Sequence, residues 1–189
     1  MFERFTKDAR AVVEGAVGHS ERAGAETVGE EHLLLALLDR EGSRGSFVLA
    51  SLGVAGRRDS VERDLAEARR RGGLSRADVD ALSGLGIDLA EIVFRVEEAH
   101  GEGALESGRR GGGGRWSRRR PFAQGAKDVL TQALRVALAH RDRFIGDEHL
   151  LMALTARGGV VAEVLADHGV TYAAVTRVLY GDGGVAKAG

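Results

Sequence analysis

Cysteine is absent from the 189 residues. That excludes disulfides, a thiolate nucleophile and cysteine metal ligands. Proline occurs once and aromatics make up only 5%; with abundant Ala, Leu, Arg and Glu, this favours an all-helical fold. No apolar run approaches the length of a membrane span. Met1 leads directly into charged, helix-like sequence with no targeting segment, so a cytoplasmic protein is expected. The formal net charge is -1, so the whole-molecule field favours neither nucleic acid nor cations. No G-x-x-x-x-G-K-[ST] occurs, so no phosphate-cradling loop is predicted. Serine and histidine spacing marks no nucleophile. The expectation is a non-enzyme without cofactor or metal.

What is present is a core and a repeat. Hydrophobic residues make up 43%, enough for one domain or two small ones. Gly29 to Leu38 reads GEEHLLLALL and Gly146 to Thr155 reads GDEHLLMALT. At the same offset of 117, Phe5 answers Phe122, Ala9 answers Ala126 and Arg10 answers Lys127. VLASLGV (Val48 to Val54) returns as VLADHGV (Val164 to Val170) at an offset of 116. One helical module is written twice, and each copy buries its apolar face on the other.

The first copy spans 1–101 and the second 121–181, with a flexible tail at 182–189. In each, a long amphipathic helix is followed by a Leu-rich one and a short third. Thr6 is positioned to cap the first helix. Leu52-Gly53-Val54 is echoed by Leu85-Gly86-Ile87, which places a helical insert at about 55–84 and a closing fourth helix on Leu89, Ile92, Val93 and Val96. Asp59 to Glu62 and Ser75 to Asp78 read as capping boxes. Residues 102–120 read as a flexible linker with four consecutive glycines and, around Trp116, a cluster of arginines. Arginines beside a stacking ring could contact nucleic acid; a solvated linker is the simpler reading.

Phe2-Glu3-Arg4-Phe5-Thr6 with Ala9-Arg10, the two Glu-His-Leu-Leu motifs, and Pro121-Phe122 with Ala126-Lys127 together resemble the N-terminal domain of Clp/Hsp100 chaperones, the double Clp repeat of the ClpC type. The resemblance implies two four-helix repeats about a pseudo-two-fold axis. In those chaperones the domain precedes two ATPase modules; ending after the second repeat, this chain reads as a stand-alone Clp-repeat protein. The partners implied are a Clp ATPase or Clp clients and adaptors. The resulting expectation is protein or peptide binding linked to Clp proteolysis, as adaptor, regulator or ligand-sequestering decoy. Nucleic-acid binding through the arginines is the alternative.

The resemblance also implies two phosphoarginine pockets, with Glu31 and Glu148 meeting the guanidinium and a helix N-terminus holding the phosphate. The acids alone are explained by the helix macrodipole. Glu30 and Asp147 stand where the family has threonine. Each repels a phosphate, and Asp147 could cap its own helix. Degenerate pockets are therefore expected, the second worse than the first, with Asp147→Thr restoring some affinity. His32 and His149 read as helix-start residues, since adjacent positions diverge on a helix and no third metal ligand is spaced to join Glu31 or Glu148. Phe2, Arg10, Phe122 and Lys127 are the counterpart of the surface that accepts cyclic-peptide antibiotics in actinobacterial members; symmetry is expected to bring the two helix starts together there.

Overall fold

The computed structural model describes residues 4–101 and 120–181. Phe2, nearly all of the linker and the tail lie outside the described residues, as does the side chain of His100. The described chain runs α1 (Lys7–Arg22), α2 (Glu30–Leu38), α3 (Arg44–Ser51), a 3₁₀ turn (Ala55–Arg57), α4 (Arg58–Arg70), α5 (Arg76–Gly84) and α6 (Leu89–His100). It continues as α7 (Gln124–Ala139), α8 (Asp147–Ala156), α9 (Val160–Asp167) and α10 (Tyr172–Tyr180). The fold is all-helical; two isolated β-bridges are the only extended pairings among the described residues. No single described helix is long and apolar enough to cross a membrane.

Thr6 starts α1 as its sequence position suggests: its hydroxyl accepts the Ala9 N–H at 3.2 Å. Ala9, Val12, Val13 and Ala16 then recur on one face and are buried. The sequence of α8 is apolar nearly all round, and every residue from Asp147 to Leu154 is buried. Such a helix belongs at the centre, where it packs on α7, α3, α9, α10, α2 and α1. Leu33, Leu34 and Leu37 of α2 join Leu150, Leu151 and Leu154 of α8 in one contiguous core. Fully burying each leucine contributes roughly 1.5–3 kcal/mol.

The two repeats are laced at their entrances. The Thr6 N–H donates to the Ile145 carbonyl at 2.9 Å, and the Ile145 N–H to the Arg4 carbonyl at 2.7 Å. One offset of 117 away, the Val28 N–H donates to the Pro121 carbonyl and the Ala123 N–H to the Val28 carbonyl, both at 2.9 Å. Each long helix is thus entered by pairing with the other repeat's loop, a reciprocal exchange that a pseudo-two-fold arrangement requires.

The first repeat closes differently from its sequence reading. Residues 55–84 are not a separate insert: α4 carries Val61, Leu65 and Ala68 into the core and packs on α9 and α2. It takes the place that α10 takes against α3 and α8. The echoed Leu-Gly dipeptide pointed instead to α6, whose residues Ile92 and Phe94 are 43% and 66% exposed. The addition is α5–α6, beyond α4. The Asp59 capping box does not form, because α4 begins a residue earlier at Arg58 without a side-chain cap. The Ser75 box does: the Asp78 N–H donates to Ser75 Oγ at 3.2 Å and the Ser75 N–H to Asp78 Oδ2 at 3.1 Å.

Candidate functional site

Two grooves related by the repeat open at the starts of α2 and α8. The first is lined by Thr27, Gly29, Glu30, Glu31, Arg69 and Gly125, with Val160 and Val161 on its wall. Glu31 is 30% exposed and lies against the backbone of Gly29. Glu30 turns the other way, to the bare backbone of Gly125, and Arg157 Nε meets its Oε1 at 3.3 Å. Arg157 also reaches Asp128 at 3.2 Å. Burial raises the Glu30 carboxyl above its ordinary value, against the lowering pull of Arg157. The repulsion expected from Glu30 is therefore offset by a guanidinium at hand.

Arg69 was missed in the sequence, because it falls in the stretch read as an insert. It comes from α4, lines the same groove, and its Nε is buried without a hydrogen-bond partner. The only signal available was the apolar spacing Val61, Leu65, Ala68, which fixes the face of α4 that turns inward.

The second groove is lined by Thr6, Asp8, Arg44, Asp142, Arg143, Phe144, Asp147 and Glu148. Here both motif acids are already engaged. Glu148 is 5% exposed in its side chain; Arg44 Nη1 donates to its Oε1 at 2.9 Å, and its own backbone N–H donates to it. Burial nonetheless raises its carboxyl above the ordinary range. Asp147 does not cap α8, whose N-cap is Gly146. Its Oδ2 accepts from the Ser43 hydroxyl and, at 3.1 Å, from the Gly45 N–H. The acid of one repeat thereby ties down the first turn of α3 in the other. The position of α9 that corresponds to Arg44 in the first groove is apolar, Val160, so no guanidinium closes that groove from the matching place.

The motif histidines hold the two helix starts. His32 Nδ1 accepts the Gly29 N–H and His149 Nδ1 the Gly146 N–H, each at 2.9 Å. His149 Nε2 lies 2.9 Å from Asp142 Oδ2. The neutral ring with its proton on Nε2 satisfies both contacts; a proton on Nδ1 would expel the backbone donor. Burial lowers both imidazoles below their ordinary 6.5. Because the folded state binds these protons less well than the unfolded chain, the stabilisation is complete above pH 6.5 and is lost as pH falls through the folded values. Glutamine at the third helical position also accepts the N-cap N–H. His32→Gln with His149→Gln is thus expected to flatten the fall in melting temperature between pH 7 and 5.5 and to shift stability at pH 7.5 by less than about 1.5 kcal/mol. An unchanged slope would show that these rings are not the titrating caps.

Of the remaining predicted residues, Arg10 on α1 and Lys127 on α7 are exposed, Phe122 is half-buried against the core, and Phe2 lies outside the described residues.

The sequence profile of the Clp repeat (R) N-terminal domain matches residues 4–83 and 121–183. The chaperone protein ClpC1 of Arabidopsis thaliana chloroplasts is 31% identical over 170 residues, 89% of this chain and 14% of that protein. The Brassica napus chloroplast ClpA homologue, an ATP-binding subunit of the ATP-dependent Clp protease, is likewise 31% identical over 170 residues. The chain spans about 15% of the length of these relatives. Among solved structures, the N-terminal domain of Arabidopsis thaliana ClpD superposes with a TM-score of 0.52 at 21% identity, covering 95% of this chain and 97% of that one. It shares the fold.

Proposed function

The chain belongs to the Clp repeat N-terminal domain family, and on that premise we propose that it binds proteins or peptides in Clp-type proteolysis, as an adaptor, regulator or ligand-sequestering decoy, and does so through its first groove alone. The observation that carries this is the difference between the two grooves. Around the first, Glu31 keeps a partly exposed carboxylate and Arg69 adds a guanidinium to the same groove. A ligand with a guanidinium joined to a phosphate presents the matching pair of charges. In the second, four acids face two arginines, and Arg44 already sits on Glu148. Two unit charges about 4 Å apart interact by roughly 4 kcal/mol at an effective dielectric near 20, so a phosphate is strongly disfavoured there.

Titration of the whole chain with a phosphoarginine peptide tests the reading. The expected result is one site, weakened at least tenfold by Arg69→Ala or Glu31→Gln and unmoved by Arg44→Ala. Two equivalent sites, or binding indifferent to Arg69 and Glu31, overturns it. Co-purification of a Clp ATPase with the tagged chain from native lysate tests the wider role. Asp147→Thr is not expected to restore affinity, because Asp147 serves α3 rather than the start of α8.

A further inference from the structure

Beyond the grooves, the unabsorbed feature is the α5–α6 hairpin. Among the described side chains neither helix holds a buried one, and α6 lies past the first stretch matched to the family, 4–83. Leu85, Ile92 and Phe94 are 77%, 43% and 66% exposed. Helices of 9 and 12 residues with no buried side chain among those described are marginal in water; exposed apolar side chains on them call for a cover. The hairpin is also acidic. Asp78, Asp80, Asp88, Glu91, Glu97 and Glu98 stand against Arg76 and Arg95, and Arg76 is drawn off to Asp167 of α9 at 2.7 Å.

We propose that the acidic face of α6 that carries Phe94 between Glu91 and Glu98 is a docking surface for the chain's own residues 108–119, seated by Trp116 on Phe94 and by arginines on the acids. Charge complementarity selects this occupant. The segment has five arginines and no acid, whereas a second copy of the hairpin would set acid against acid. Tethering favours it further. Trp116 follows His100 by 16 residues, a reach of up to about 50 Å, while α6 is about 18 Å long; an intramolecular partner on such a tether acts at an effective concentration of about millimolar.

Trp116 is the only tryptophan, so its fluorescence in the intact chain reports on the segment alone. The reference is a synthetic peptide of residues 108–119. The expected result is emission blue-shifted from the peptide, independent of protein concentration. The shift should be lost in F94A and reduced in E98K or at high salt, with the melting temperature of the repeats unchanged. Emission equal to the free peptide's overturns the proposal. So does a blue shift that ignores F94A and E98K, which would place the segment elsewhere, or one that disappears on dilution, which would make the occupant a second copy.

Discussion

Residues 1–101 expressed alone are expected to show helical signal without a cooperative melt. In the whole chain, α2 and α3 pack on α8, and α4 packs on α9. Cutting after 101 exposes Leu33, Leu34, Leu37, Val48, Val61 and Leu65 in part, all of them 2% exposed or less. At roughly 1.5–3 kcal/mol for each fully buried side chain, losing half of that burial costs about 5–9 kcal/mol, comparable with the usual 5–15 kcal/mol stability of a whole domain. The Val28 N–H and carbonyl also lose their partners at Pro121 and Ala123. The half should bind a hydrophobic dye and aggregate, and mixing it with residues 102–189 should restore a single transition, as in the intact chain. A monomeric half that unfolds cooperatively in urea would show that each repeat is an independent domain.

The repeat was legible because it is written in apolar spacing. The Leu-rich motif fixed α2 and α8, and Thr6 fixed the start of α1. The closing helix was not legible. α4 and α10 occupy matching places, but their apolar stripes are out of register at the offset of 116: Val61 and Leu65 fall on Arg177 and Gly181 and meet Val175 and Leu179 only after a shift of two residues. A dipeptide echo then outweighed a real amphipathic stripe. At the site, the sequence placed the four acids on the first turns of α2 and α8. It could not tell which way each side chain turns. Gly125 leaves space for Glu30 in one repeat, and Gly45 leaves space for Asp147 in the other; both are contacts between repeats, which periodicity within one copy does not encode. For the same reason Arg44 and Arg69, one closing a groove and one furnishing it, went unread.

The lock between Asp147 and the first turn of α3 makes the second strong prediction, a non-additive double-mutant cycle. Asp147 is 2% exposed, and Asp147→Ala leaves the Ser43 hydroxyl and the buried Gly45 N–H without their acceptor. An orphaned buried donor costs about 1–3 kcal/mol, more when the lost partner was charged; a loss of about 2–3 kcal/mol is expected. Gly45→Ala should also destabilise, for a different reason. A Cβ there would lie 2.5 Å from Asp147 Oδ2 and 3.0 Å from its Cγ, so the carboxylate must give up its bonds or α3 must shift, at about 1–3 kcal/mol. In the double variant the obstructing carboxylate atoms are gone, and the next atom out, the Asp147 backbone carbonyl carbon at 3.4 Å, is at ordinary contact distance. The alanine then fits, and its helix preference over glycine returns about 0.5–1 kcal/mol. Urea unfolding of the four proteins should therefore give a double variant no less stable than Asp147→Ala alone, with a coupling of about 1–3 kcal/mol. Two losses that simply add would mean that the acid does not sit over Gly45, and that the second groove is not held shut in this way.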